Sequence, residues 1–329
     1  MSRVRVLSRS DVNRLLGMSA CVNAVEAAFR RRGAGDEVTS GVLALHSGSG
    51  AFHMKAAIMT TDRSYFAAKT NANFSENPAR HGLPTIQGVL ALFDATTGVP
   101  LSLMDSIGIT ILRTAAATAV AARYLAAPDA HTVTIAGCGA QSLAQLRALM
   151  VVRPVKRVFA FDVDPARSDQ FARQATEQLA LPVSAVSDLC EATRASQIVV
   201  TVTTSRKAFI GVADIAPGTF VAAVGADNEH KQEIEPELLA RVAVVVDSLD
   251  QCATIGDLHH ALDSGAMTRA DVRAELSAVV VNPSVGRQAR DEIVVFDSTG
   301  VAFQDVAAAA LVFERAEAED IGLSVALSE

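Results

Sequence analysis

Beyond residue 130 the chain repeats a pattern that few architectures satisfy: a short apolar run, a turn, then a stretch apolar on one face only. The runs are His131–Ala136, Arg157–Asp162, Val183–Val186, Gln197–Thr203, Phe220–Gly225, Val242–Asp247 and Glu292–Asp297. Helical stretches lie between them, one after Gly139 through about Met150 and another with Phe171 and Ala175 on one face. Continuous apolar strands alternating with helices require a parallel sheet covered on both faces. The expected fold class is therefore α/β, with a Rossmann-type doubly wound parallel sheet.

The first 125 residues read differently. Two short helices are expected at the start. Ser10 caps a turn over Asp11–Leu16, and Ser19 opens a helix with Val22, Val25 and Phe29 on one face and Gly33 as its stop. From Thr39 to about Phe93, short apolar runs (Gly41–Leu45, Ala51–Met59, Tyr65–Thr70, Gly88–Phe93) are broken by Gly, Ser, Asn and Pro, which reads as antiparallel sheet. Asp94–Gly98 is a turn, and Ile107–Leu125 is an Ala-rich helix ended by Pro128. A last helix runs from about Phe303 to Ala318. These readings predict an α+β domain over 1–125, a boundary at Ala126–Asp129, and a sheet domain over 126–303. Residues 304–329 are expected to pack back on the first domain.

Composition removes several function classes. A formal net charge of −7 opposes non-specific nucleic-acid binding. The 4 cysteines are scattered without a CxxC pair, which disfavours a disulfide framework or structural zinc and fits a reducing, cytoplasmic setting. His259 and His260 are adjacent and point different ways, so no metal site is expected. The start lacks a signal-type apolar core, and the most apolar stretch, Ile107–Ala122, carries Arg113, so no membrane association is expected.

The chemistry-bearing motifs fall at predicted strand ends. Thr132-Val-Thr-Ile-Ala-Gly137-Cys-Gly139 follows a strand and opens a helix. Gly137 and Gly139 permit a tight turn and close approach of a pyrophosphate to backbone amides. Ser142 stands where the usual third glycine would be, which sets the helix slightly further from the strand. Asp162 ends the next strand, 23 residues after Gly139, where a carboxylate binds a ribose diol and repels a 2′-phosphate. This favours NAD(H) over NADP(H). Lys69 lies in an apolar strand. It could bind a carboxylate or polarise a carbonyl or imine, or it could be a surface lysine. Arg113 sits in the Ala-rich helix, where its fork suits a carboxylate unless it faces solvent. The loop Val224-Gly-Ala-Asp227-Asn-Glu-His-Lys231 follows a strand end. Asp227 there is placed as a proton donor or base or as a helix cap, and Lys231 could meet a cofactor or carboxylate. Ser298, after Phe296-Asp297, could reach a nicotinamide or act as a cap.

Together these elements resemble the ornithine cyclodeaminase/mu-crystallin family. The resemblance rests on Lys69, Asn77-Pro78, Gly82-Leu-Pro-Thr85-Ile-Gln-Gly88, Asp94 with Thr97-Gly-Val-Pro-Leu101, and Ile111-Leu-Arg113-Thr-Ala-Ala116. It continues through Gly137-Cys-Gly-Ala-Gln141, Gly225-Ala-Asp227 and Asp297-Ser-Thr-Gly300, in the family's order along nearly the whole chain. It implies a homodimer built by an N-terminal substrate domain, a Rossmann domain, and nicotinamide-dependent chemistry at the Cα of a small amino, imino or 2-oxo acid. Carried over, Lys69 and Arg113 are catalytic groups that hold the α-carboxylate, and Asp227 is the acid/base. Thr85, Arg113, Gly137, Gly139, Ala140, Gln141, Asp162, Thr203, Val224, Asp227, Lys231 and Ser298 are cofactor contacts.

Two departures stand out. The family's usual upstream arginine is missing from the region Thr39-Ser40-Gly41, and its Met-Pro pair reads Met54-Lys55. Lys55 is expected to bind substrate, either replacing the missing arginine or reading a second acidic group, unless it is a solvent-facing lysine on an edge strand. The implied activity is an NAD(H)-dependent amino-acid dehydrogenase or imine reductase. The alternatives are an ornithine cyclodeaminase-type ammonia-lyase with recycled NAD, and a non-catalytic NAD(P)H-binding protein.

Overall fold

In the strand Ser64–Asn73, Tyr65, Ala67 and Lys69 are buried while their sequence neighbours are less so, the period of two expected of a sheet with one covered face. That strand is central in one of two compact units of the chain, whose computed structural model describes residues 3–36, 38–48, 50–61 and 63–327. The first unit comprises Met1–Ala28, Gly35–Arg113 and Val301–Glu329, and the second comprises Phe29–Ala34 and Thr114–Gly300.

The first unit is a seven-stranded sheet. Its spatial order is Leu323–Ala326, Arg3–Leu7, Pro100–Asp105, Ile86–Asp94, Ser64–Asn73, Gly50–Thr60, Thr39–Ser47. All neighbours are antiparallel except Arg3–Leu7 and Pro100–Asp105, which run parallel. The helix Ala302–Ala318 packs on the central strands, and its run of buried alanines lets it approach closely. The opposite face carries Leu43, Leu45, Phe52, Ile58, Val89 and Leu103, each 39–51% exposed.

Three local expectations change. Arg3–Leu7 is a strand, not part of a helical start; its alternation Arg-Val-Arg-Val fits between Leu323–Ala326 and Pro100–Asp105. The helix Arg9–Leu15 is capped by Ser8, not Ser10. The Ser8 Oγ accepts from the Asp11 amide, and the Asp11 carboxylate accepts from the Ser8 amide in return. The next helix already starts at Met18, so Ser19 lies inside it.

The second unit is an eight-stranded, wholly parallel sheet. Its order is Ala274–Glu275, Ala243–Val246, Val294–Asp297, Phe220–Ala223, Ile198–Thr201, Thr132–Ala136, Arg157–Phe161, Val183–Ala185. From Thr132–Ala136 the chain first runs outward to one edge through Arg157–Phe161 and Val183–Ala185. It then crosses back to Ile198–Thr201 on the other side. The switch point between Thr132–Ala136 and Ile198–Thr201 is where such sheets open a crevice at their C-terminal rim.

The division between the units falls within the helix Ser106–Leu125, after Arg113, earlier than the expected boundary at 126–129. The segment Phe29–Ala34 also belongs to the second unit, for a physical reason. A Cβ on Gly33 would lie 2.0 Å from the Ser277 carbonyl oxygen, and Arg30 donates to the Val280 carbonyl at 3.2 Å.

Candidate active site

Within the first unit, the alternation that buries Tyr65 and Ala67 also turns Lys69 under the helix Ala302–Ala318, where it is 4% exposed. An ammonium so placed requires a partner. The helix supplies one in Asp305, whose two carboxylate oxygens lie 2.9 and 2.8 Å from the Lys69 Nζ. Arg113, buried on its own helix, donates from Nε to the same carboxylate at 2.9 Å. Its Nη1 donates to the Gln304 Oε1 at 3.0 Å. Both cations therefore share one carboxylate. Lys55 stands directly across from Lys69 in the antiparallel register and is half-buried.

The electrostatics follow from that crowding. Burial pushes the Lys69 ammonium down to about 7; Asp305 opposes the shift, and Arg113 and Lys55 add to it. Burial also pushes Asp305 upward, but Arg113, Lys69 and Lys55 outweigh it and hold the carboxyl below its ordinary value. With Lys69 protonated, the cluster of Lys69, Arg113 and Asp305 carries one more positive than negative charge where water hardly reaches, an imbalance that a further anion would offset.

Within the second unit, the strand Thr132–Ala136 turns at Gly137, whose φ is 102°, in the left-handed region open to glycine. A Cβ there would lie 2.7 Å from the Val202 carbonyl oxygen and 2.8 Å from a Thr203 methyl. Ser142, in place of a third glycine, is buried and donates from Oγ to the Gly139 carbonyl at 2.7 Å, tying the turn to the helix start. Asp162 accepts from the Cys138 amide at 2.9 Å and from the Asp164 amide at 3.0 Å, so its carboxylate is held in one orientation. A cavity of about 520 Å³ opens at this point, lined by Gly137, Gly139, Asp162, Thr203, Arg167 and Phe209 among others.

The other expected cofactor residues of this unit do not line that cavity among the described residues. Ala140 is exposed and Gln141 half-buried at the start of the helix Ser142–Val152. Val224 is buried just past its strand. Asp227 is exposed on the following loop, with the Lys231 Nζ at 2.7 Å. Ser298 is buried, and its hydroxyl donates to Asp247 at 3.3 Å. Thr85 is half-buried in the first unit, just ahead of the strand Ile86–Asp94.

Asp305, which brings Lys69 and Arg113 together, is not among the site residues expected from the sequence. The available signal was a carboxylate between Phe303 and Val306, on the apolar side of the last helix. Among the described residues, no group of three or more His, Cys, Asp or Glu is arranged to hold a metal ion, and no helix is long and apolar enough to cross a membrane.

The sequence model of the ornithine cyclodeaminase/mu-crystallin family matches residues 3–320. The chain is 34% identical to an alanine dehydrogenase of Archaeoglobus fulgidus over 97% of both chains. It is 31% identical to an iminosuccinate reductase of Paracoccus denitrificans, covering 97% of this chain and 99% of that one. The solved structure of an archaeal alanine dehydrogenase dimer with bound NAD superimposes with a TM-score of 0.94 at 33% identity, covering 99% of this chain and 100% of that one.

The shared carboxylate yields a direct expectation. Asp305→Ala leaves Lys69 and Arg113 buried without their counter-charge and should lower stability by about 3–5 kcal/mol, whereas Asp305→Asn should cost less. Urea unfolding of the two variants checks this; a loss under about 1 kcal/mol for the alanine variant would show that the ion cluster is dispensable.

Proposed function

The chain belongs to the ornithine cyclodeaminase/mu-crystallin family, and from that premise we propose that it is an NAD(H)-dependent oxidoreductase acting on the Cα–N bond of a small 2-amino or 2-imino acid. The observation that carries this reading is the cluster of Lys69 and Arg113 on the single carboxylate of Asp305. Two buried cations and one buried anion favour a further carboxylate, the group that every such substrate carries.

The first unit is the substrate domain and the second the cofactor domain. The residues present fit a dinucleotide. Gly139 has open space where a Cβ would stand, the helix Ser142–Val152 starts just beyond, and the oriented Asp162 carboxylate suits a ribose diol. When bound, the nicotinamide group gives or accepts a hydride. Gly137, Gly139, Ala140, Gln141, Asp162, Thr203, Val224, Lys231, Ser298 and Thr85 hold the cofactor. Arg113 and Lys69 grip the α-carboxylate, which fixes the orientation of the Cα and reduces the entropy lost on reaching the transition state. Asp227 moves the proton on the substrate nitrogen, or activates the water that attacks the C=N carbon in the oxidative direction.

The cofactor preference rests on Asp162. Arg167 lines the same cavity, but it stands 3.7 Å from Asp164 and faces a carboxylate already. NADH is therefore the favoured partner over NADPH.

The test is absorbance at 340 nm with purified protein and NADH or NADPH. The substrates are 2-oxo acids with ammonia or methylamine, cyclic ketimines, and dicarboxylic 2-oxo acids. Stoichiometric NADH loss with one class, faster than with NADPH, is the expected result. Ammonia release from ornithine with only catalytic NAD would identify a cyclodeaminase instead, and NADH binding without any turnover would leave a binding protein. Comparable affinity for both cofactors would remove the role given to Asp162.

Lys55 completes the substrate site in this reading, either in place of the missing arginine or as the contact for a second acidic group. Lys55→Ala should raise KM about tenfold or more with little change in cofactor affinity; an unchanged KM removes Lys55 from the site.

The sheet face of Leu43, Leu45, Phe52, Ile58, Val89 and Leu103 exposes six large apolar side chains side by side, and a homodimer covers it. Light scattering should give twice the chain mass for the native protein and one chain mass for Leu43→Glu/Leu45→Glu. A monomeric native protein at micromolar concentration excludes the dimer.

A further inference from the structure

At the C-terminal rim of the parallel sheet, Glu233 is fully buried on the short strand Gln232–Ile234, yet among the described residues no cation pairs with it. Four donors converge on its carboxylate instead. One oxygen accepts from the Thr203 amide at 2.6 Å and the Thr203 hydroxyl at 2.7 Å. The other accepts from the Thr201 hydroxyl at 2.7 Å and the Gly225 amide at 2.8 Å. Thr201 ends one strand of the sheet, and Gly225 lies just past the end of its neighbour Phe220–Ala223. Thr203 lines the cavity, and Gly225 begins the loop that carries Asp227.

The fit around this carboxylate is close. A Cβ on Gly225 would lie 2.3 Å from a Glu233 oxygen and 2.5 Å from the Thr203 carbonyl oxygen. Glu233 is itself held from behind, because Asp257 accepts from the Glu233 amide at 2.7 Å and the Ile234 amide at 2.9 Å. Burial raises the Glu233 carboxyl above its ordinary value, and the converging donors oppose that shift.

The donor arithmetic sets what can stand here. Each oxygen of Glu233 receives one backbone N–H, and a backbone N–H can only donate. A glutamine has one acceptor oxygen and one NH2 group. Either orientation of its amide therefore sets a side-chain N–H against a backbone N–H, from Thr203 in one case and from Gly225 in the other. The hydroxyls can rotate to accept; the amides cannot. A shape-conserving replacement must therefore displace one of the two strand-end backbones.

We propose that Glu233 is a positioning residue of the oxidoreductase site: as a carboxylate it locks Thr203, at the cavity wall, to Gly225, at the root of the Asp227 loop. This rests on the reading of the cavity as the dinucleotide site. The residue touches neither substrate nor cofactor; it acts through the two backbones it joins.

The test compares native protein with Glu233→Gln and Thr201→Val, using melting temperature, NADH affinity by fluorescence, and steady-state kinetics on the substrate class found above. Glu233→Gln should weaken NADH binding about tenfold and lower kcat, while KM for the substrate acid stays within about twofold, because Lys69 and Arg113 are untouched. Thr201→Val keeps the side-chain shape, removes one hydroxyl donor to Glu233 and alters no residue that lines the cavity, so it should move NADH affinity the same way by about threefold. A merely structural role predicts a lower melting temperature with NADH affinity of the folded protein unchanged, and that result overturns the proposal. So does a parallel rise in NADH Kd and substrate KM. If Glu233→Gln fails to fold, Thr201→Val decides: unchanged NADH affinity overturns the proposal, and the threefold loss supports it. Native protein that binds no NADH would instead strike at the cofactor reading.

Discussion

One buried carboxylate organises the first unit. Asp305 faces two cations that come from a strand and from another helix, and all three side chains are nearly inaccessible to water. Charges in such a place are tolerated only when each is paired and hydrogen-bonded. The helix Ala302–Ala318 therefore supplies the counter-charge for the sheet it covers as well as an apolar face. The imbalance of two cations over one anion is what the proposed carboxylate site rests on. Lys69 is the more adjustable of the two cations, because its ammonium is pushed down to about 7 by burial first and by neighbouring charge second. A bound anion would draw it back toward its charged form.

The second unit solves a different problem. A parallel sheet ends all its strands at one rim, and the rim must present backbone amides to a ligand without leaving others unsatisfied in the interior. Buried carboxylates meet that demand. Glu233 takes the amides of Thr203 and Gly225, Asp257 takes those of Glu233 and Ile234, Asp297 takes that of Leu258, and Asp247 takes that of Gly300. Burial raises three of these acids, Glu233, Asp257 and Asp297, the last to about 7. Asp162 does related work at the surface of the cavity, where two amides hold it in one orientation.

The two halves of the chemistry thus differ in how far they could be read along the chain. Gly137, Gly139, Asp162 and the Asp227 loop are local features: a tight turn, a strand end and a following loop announce themselves within a few residues. Lys69 and Arg113 were legible as costly charges in apolar elements, but a surface position remained open for each. What closed that alternative was Asp305, which lies 236 positions from Lys69 and 192 from Arg113. Glu233 escaped notice for a similar reason. It reads as one more acid in a polar loop, and only the fold brings the ends of two strands onto its oxygens.

The sequence by itself determined the parallel α/β sheet, the largely antiparallel sheet before it, the glycine turn with its acidic partner, and the helix that returns at the end. These follow from periodicity and from backbone limits on glycine, which act over short spans. It was misleading at Arg3–Leu7, where five residues are too few to assert a strand without the neighbours that pair with them. It also placed the division between units at a proline-containing linker, whereas the structure divides inside the preceding helix. Only the tertiary structure decided which charges are buried, which carboxylate answers them, and which sheet face stays open. Those outcomes depend on desolvation and on contacts between residues far apart in the chain, and neither is encoded in any local pattern.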